Sequence, residues 1–131
     1  MHTYTVELRV SSDNLEPNDI TRTLGITPTQ VRKKGERRSQ GSVWGENVWS
    51  YEVFPEEGES WPDLENGLNK LLSVIKPVQS QLRSYSSGSN IYIWCGHFTS
   101  SFDGGPTLSP ALLRSLGESG ITLMLDTYPS R

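Results

Sequence analysis

The stretches LEPNDITRTLGITPT (residues 15–29) and LSPALLRSLGESGIT (residues 108–122) decide how this chain is read, because they use the same parts in the same order. In each, a leucine is followed two residues later by proline, whose missing N–H costs nothing in the first turn of a helix. Ile20 and Leu24 in the first stretch, and Leu112, Leu113 and Leu116 in the second, supply an inward stripe at helical spacing. Gly25 and Gly117 then offer the left-handed residue that ends a helix. A strand precedes each helix. Residues 3–10 alternate Tyr4, Val6, Leu8 and Val10 with Thr5, Glu7 and Arg9, and residues 91–98 are apolar on both sides. A strand also follows each helix, at residues 48–54 after the first and 121–128 after the second.

Two strand–helix–strand units therefore frame the chain, and a helical insertion of about residues 60–85 separates them. Ser60 and Asp63 have the spacing of a capping box. Leu64, Leu68, Leu71, Leu72 and Ile75 follow at helical spacing, Pro77 interrupts, and Val78 and Leu82 continue the stripe in a shorter helix. The pattern predicts a single α+β domain over residues 1–131, a ferredoxin-like sandwich with a mainly antiparallel four-stranded sheet.

Composition excludes several classes. The 131 residues suit one hydrophobic core, and 34% hydrophobic residues with four tryptophans argue against disorder. The net charge of −3 argues against a general nucleic-acid or anionic-membrane binder, which needs a broad positive field. No run reaches the roughly 20 apolar residues of a membrane span, and the opening MHTYTVELRV reads as a strand rather than a leader, so a cytoplasmic protein is expected. Cys95 is the only cysteine and cannot close an intramolecular disulfide.

The ordered set of an N-terminal strand, LEPNDITRTLGITPT, KKGE, VWSYEV, a leucine-rich helix and SPALLRSLGESGITLMLDTY resembles the small bacterial proteins grouped as domain of unknown function 4279. The resemblance spans nearly the whole chain and rests on turns, caps and core positions. It implies a bacterial, single-domain α+β protein with neighbours in toxin and immunity systems, and it carries over no catalytic residue.

The polar features point to binding more than to reaction. RKKGERR (residues 32–38) concentrates Arg32, Lys33, Lys34, Arg37 and Arg38, and Trp44 and Trp49 follow closely. Basic side chains beside aromatics grip anionic groups and stack on planar ones. Glu52, Glu56, Glu57, Glu59, Asp63 and Glu65 make an opposing acidic stretch. On the strand at residues 91–98, Tyr92, Trp94 and Phe98 share one side while Ile91, Ile93 and Cys95 share the other. If helices cover only one side of the sheet, Tyr92 and Trp94 form an aromatic platform beside Glu7 and Arg9; if the long helix covers that side, they are core.

Chemistry has weaker footing. Cys95 and His97 point the same way but sit about 7 Å apart along a strand, too far for direct activation of the thiol. His97 with Asp126 is the one further acid–base pairing the strands could make. Two histidines, His2 and His97, with one cysteine match no metal-ligand spacing, and no cofactor motif occurs. The expectation is a non-enzymatic binding protein with a protein partner, in its most concrete form an immunity-type inhibitor of a toxin. The alternatives are a small-molecule or nucleic-acid binding module using Arg32, Lys33, Lys34, Arg37, Arg38 and the nearby tryptophans, and an enzyme around His97 and Asp126.

Overall fold

The alternating N-terminal strand, β1 (His2–Ser12), lies in the middle of a sheet and is buried on both sides, where its alternation predicts burial on one. The structure, a computed structural model, describes residues 1–39 and 41–130. After β1 come α1 (Pro17–Leu24), β2 (Gln30–Arg32), β3 (Arg37–Ser39), β4 (Ser42–Val43), β5 (Asn47–Val53), α2 (Leu64–Ile75), a 3-10 turn (Lys76–Val78), α3 (Gln79–Arg83), β6 (Asn90–Thr99), α4 (Pro110–Ser119) and β7 (Thr122–Pro129). The main sheet has the order β2-β5-β1-β6-β7, and β3 and β4 form a separate two-stranded ribbon.

The α+β class and the two strand–helix–strand units are present, but the sheet differs from the expected four-stranded ferredoxin-like arrangement. It has five strands, and β6 and β7 pair in parallel while the other pairings are antiparallel. The parallel pair follows from α4, which carries the chain back across the sheet so that β7 starts at the same end as β6. In the first unit the strand parallel to β1 is the short β2, and β5 returns antiparallel between them. Residues 48–54 are thus not the partner that α1 leads to. Gln30-Val31-Arg32 is too short to show a period of its own, which hid β2 from the pattern.

Local signals explain the helices. Pro17 opens α1 and Gly25, at φ 68°, closes it. Ser109 caps α4 by accepting from the Leu112 N–H at 3.1 Å, and the helix runs through Gly117 to end at Gly120, φ 69°. Gly117 is therefore an interior residue, tolerated at about 1 kcal/mol relative to alanine, with Gly120 as the true stop. Asp63 is itself the N-cap of α2, accepting from the Glu65 and Asn66 N–H groups at 2.8 and 3.4 Å, so no Ser60–Asp63 capping box forms. Pro77 sits in the 3-10 turn that separates α2 from α3, as its missing donor requires.

The core lies between the helices and one side of the sheet. Tyr4, Val6, Leu8, Val10, Trp49, Val53, Ile93 and Cys95 meet Ile20, Leu24, Leu64, Leu68, Leu71, Ile75, Leu82, Leu112 and Leu116. Gly67 lets α2 approach closely, since a Cβ there would lie 2.8 Å from Val6 Cγ2. Among the described residues no helix is long and apolar enough to cross a membrane. With every core-forming helix residue on that side, no described helix covers the opposite side of the sheet.

Candidate functional site on the helix-free side of the sheet

On the helix-free side β1 presents Glu7, Arg9 and Ser11, each about 5% exposed despite being polar. Register explains what surrounds them: Glu7 lies between Glu52 of β5 and Trp94 of β6, and Arg9 between Ser50 and Tyr92. The Arg9 guanidinium stacks over Trp94 at 4.3 Å from the ring centre and also faces Trp44 at 5.4 Å. Arg32 and Arg38 approach the same Trp44 ring at 4.7 and 4.5 Å. Trp44 is held at this position by its backbone bonds to the segment before β3, with Trp44 N–H donating to Glu36 O at 2.9 Å and Gly35 N–H to Trp44 O at 2.8 Å. Three guanidinium groups and two indoles thus do the covering that helices do on the other side, each stack contributing about 0.5–2 kcal/mol.

One carboxylate holds the cluster together. Glu7 accepts from Arg9 Nε and lies 3.7 Å from Arg32 Nη1, which also donates to Ser50 Oγ at 2.9 Å. Burial pulls the Arg32 pKa down, with Glu7 opposing. Glu52, next to Glu7, has its carboxyl pushed up to about 6, by burial first and then by the Glu7 charge, with Arg32 and Arg9 working against the rise. Arg38 has no ion-pair partner among the described residues and is exposed.

Toward β7 the surface becomes apolar. Trp94 donates from Nε1 to Asp126 Oδ2 at 2.7 Å, and Tyr128 stacks on Phe98 at 5.5 Å between ring centres. Gly96 makes this layer possible, because a Cβ there would come within 2.7–3.0 Å of Thr5 Oγ1, Trp94 and Phe98. Tyr92, Trp94 and Phe98 are half-buried, and Met124 and Tyr128 are exposed.

Five of the nine sequence-predicted binding residues meet here: Arg32, Arg38, Trp44, Tyr92 and Trp94. Trp49 does not. It is fully buried under the helices, and its Nε1 donates to Thr21 Oγ1 at 3.1 Å, because β5 alternates and residue 49 faces the core. Lys33, Lys34 and Arg37 are exposed, and Lys34 pairs with Asp13 at 3.2 Å. The acidic stretch also divides: Glu52 joins the cluster, Asp63 caps α2, Glu65 accepts from the Ser109 N–H at 2.7 Å, and Glu56, Glu57 and Glu59 are exposed. Sequence reasoning missed Ser50 and the Trp94–Asp126 bond, whose only signal was the parity of their strand positions.

The pairings considered for catalysis do not assemble. His97 lies on the helix side, stacked on Tyr4 at 4.7 Å and hydrogen-bonded to His2 at 2.8 Å and Thr127 at 3.3 Å. Burial and then His2 lower its pKa. Asp126 is on the other side, opposite Gly96, bonded to Trp94. Cys95 is fully buried, and burial with the Glu7 charge pushes its thiol up to about 12, far from a thiolate at neutral pH. Among the described residues no three His, Cys, Asp or Glu side chains gather as metal ligands.

Over residues 2–130 the chain matches the family described as Domain of unknown function (DUF4279), and it belongs to that family. No curated protein and no solved structure matches it.

Proposed function

We propose that this chain is a non-enzymatic binding protein that holds a protein partner on the helix-free side of its sheet, with an immunity-type inhibitor of a toxin as the most concrete form and the cytoplasm as its compartment. The observation that carries the reading is the Arg–Trp cluster continued by the half-exposed Tyr92, Trp94, Phe98, Met124 and Tyr128. Tryptophan, tyrosine and arginine are the residues that dominate protein interfaces, since they combine large area with a polar handle. Arg38, stacked on Trp44 and without an ion-pair partner among the described residues, suits an acidic group on the partner.

The test uses the tagged full chain and an Arg38→Glu, Trp44→Ala variant whose circular dichroism matches the wild type. A partner recovered by the wild type should bind the variant at least about tenfold more weakly, a loss of 1.4 kcal/mol. Equal binding, or no partner at all from native lysate, overturns the proposal. The exposed Lys33, Arg37 and Arg38 favour one second reading, an anionic small molecule or single-stranded nucleic acid on this loop. It requires tryptophan fluorescence to respond to an oligothymidylate in a salt-sensitive way, and a flat titration removes it.

A further inference from the structure

The two edges of the main sheet are not alike. At one edge β2 has only three residues and runs directly into Arg32, Lys33 and Lys34, the short and charged design that discourages edge pairing. At the other, β7 offers eight residues whose register with β6 is unbroken from Thr122 to Pro129. It contains no lysine, arginine or glycine, and its one proline is the last residue. Its outer backbone groups have no strand partner among the described residues. Met124 and Leu125 are each 42% exposed and Tyr128 38%, and α4, which leads into β7, exposes Leu113 at 53%. The only charge on the strand, Asp126, is turned inward to the Trp94 indole.

We propose that β7 pairs antiparallel with β7 of a second copy, joining the two sheets into one of ten strands. The side chains of β7 are self-complementary about Leu125, which fits a second copy in that register. For the helix-free sides to stay together, residues facing each other across the two-fold axis must have the same parity. An axis through Asp126 sets two carboxylates directly opposite, which is destabilising. An axis through Leu125 places Asp126 opposite Met124, Leu123 opposite Thr127 and Thr122 opposite Tyr128, with leucine against leucine at the centre. Pro129, which cannot donate, then falls just outside the ladder. The pairing is independent of the reading of the Arg–Trp cluster and would set two such clusters on one surface.

Sedimentation of the full chain over a concentration series, with cysteine cross-linking, tests the pairing. The wild type sediments as a dimer, Leu125→Lys as a monomer with unchanged circular dichroism. Leu125→Cys forms a covalent dimer on mild oxidation, because its Cβ atoms face each other at about 5 Å, whereas Thr127→Cys, about 13 Å from its counterpart, does not. Cys95, fully buried, stays out of the reaction. A wild type that is monomeric throughout, a Leu125→Lys dimer, or cross-linking through Thr127→Cys but not Leu125→Cys overturns the proposal. Loss of partner binding by the Arg38→Glu, Trp44→Ala variant leaves the dimer untouched, so the two proposals fail separately.

Discussion

Strand β1 is buried on both sides by opposite means. Val6, Leu8 and Val10 face helices and are covered by aliphatic side chains. Glu7, Arg9 and Ser11, their immediate neighbours, face no helix yet are just as hidden, Glu7 and Arg9 among indole rings and guanidinium groups and Ser11 beside Glu46. The first side is stabilised by removal of apolar area from water, which tolerates any partner of suitable volume. The second depends on a charge balance, because a buried ion is tolerable only while its partner and hydrogen bonds are present. That difference is why the helix side reads as scaffold and the other as the place where a partner with its own charges acts.

Removing the Glu7 carboxylate attacks the charge-balanced side most directly. Glu7→Ala leaves Arg9 buried without its counter-ion, and chemical denaturation should show a loss of about 3–5 kcal/mol. The double variant Glu7→Leu, Arg9→Leu should recover most of it, which a cluster held by shape alone would not allow. On the helix side Leu68→Ala, at a fully buried position, should cost about 2–5 kcal/mol by leaving a cavity, with partner binding retained once folded. Gly96→Ala forces a methyl into Thr5, Trp94 and Phe98 and should cost about 1–3 kcal/mol while shifting tryptophan fluorescence. Ser109→Ala removes the cap of α4 and should lower stability by about 1 kcal/mol without touching the Arg–Trp cluster.

The smallest effect concerns pH. Glu52 has a folded pKa of about 6 against 4.5 for the free side chain, so the folded state holds that proton more tightly than the unfolded chain does. Stability contributed by the protonated form is present below pH 4.5 and is lost as pH rises through about 6. Glu52→Gln should therefore match the wild type at low pH and exceed it above pH 6. An unchanged difference across that window would mean that Glu52 is free of both burial and Glu7.

Much of this was legible in one dimension. Pro17, Gly25 and Pro110 mark helix ends because backbone geometry at those residues is local, while Gly117 proved interior and Gly120 the stop, and the alternation along β1, β5 and β6 assigns sides correctly even at Glu7 and Trp94. Trp49 shows the limit: its proximity in sequence to the basic loop suggested a shared site, but odd positions of β5 face the core. His97 and Asp126 fail as a pair for the same reason, one residue of parity in a parallel register that no short-range signal specifies.

The order of residues by itself determined the long strands and the helices, several of their ends and the side of each long strand, since these follow from backbone preferences and a period of two or 3.6, whereas the short β2 and the true stop of α4 at Gly120 lay outside that pattern. Tertiary structure alone decided that β5 inserts between β1 and β2, that β7 runs parallel to β6, and that Trp44 swings over Arg9, Arg32 and Arg38. Those outcomes depend on which distant surfaces meet when the helices cover one side of the sheet. Strand pairing is a contest among long-range contacts, and the residues that win it carry no mark of their partners.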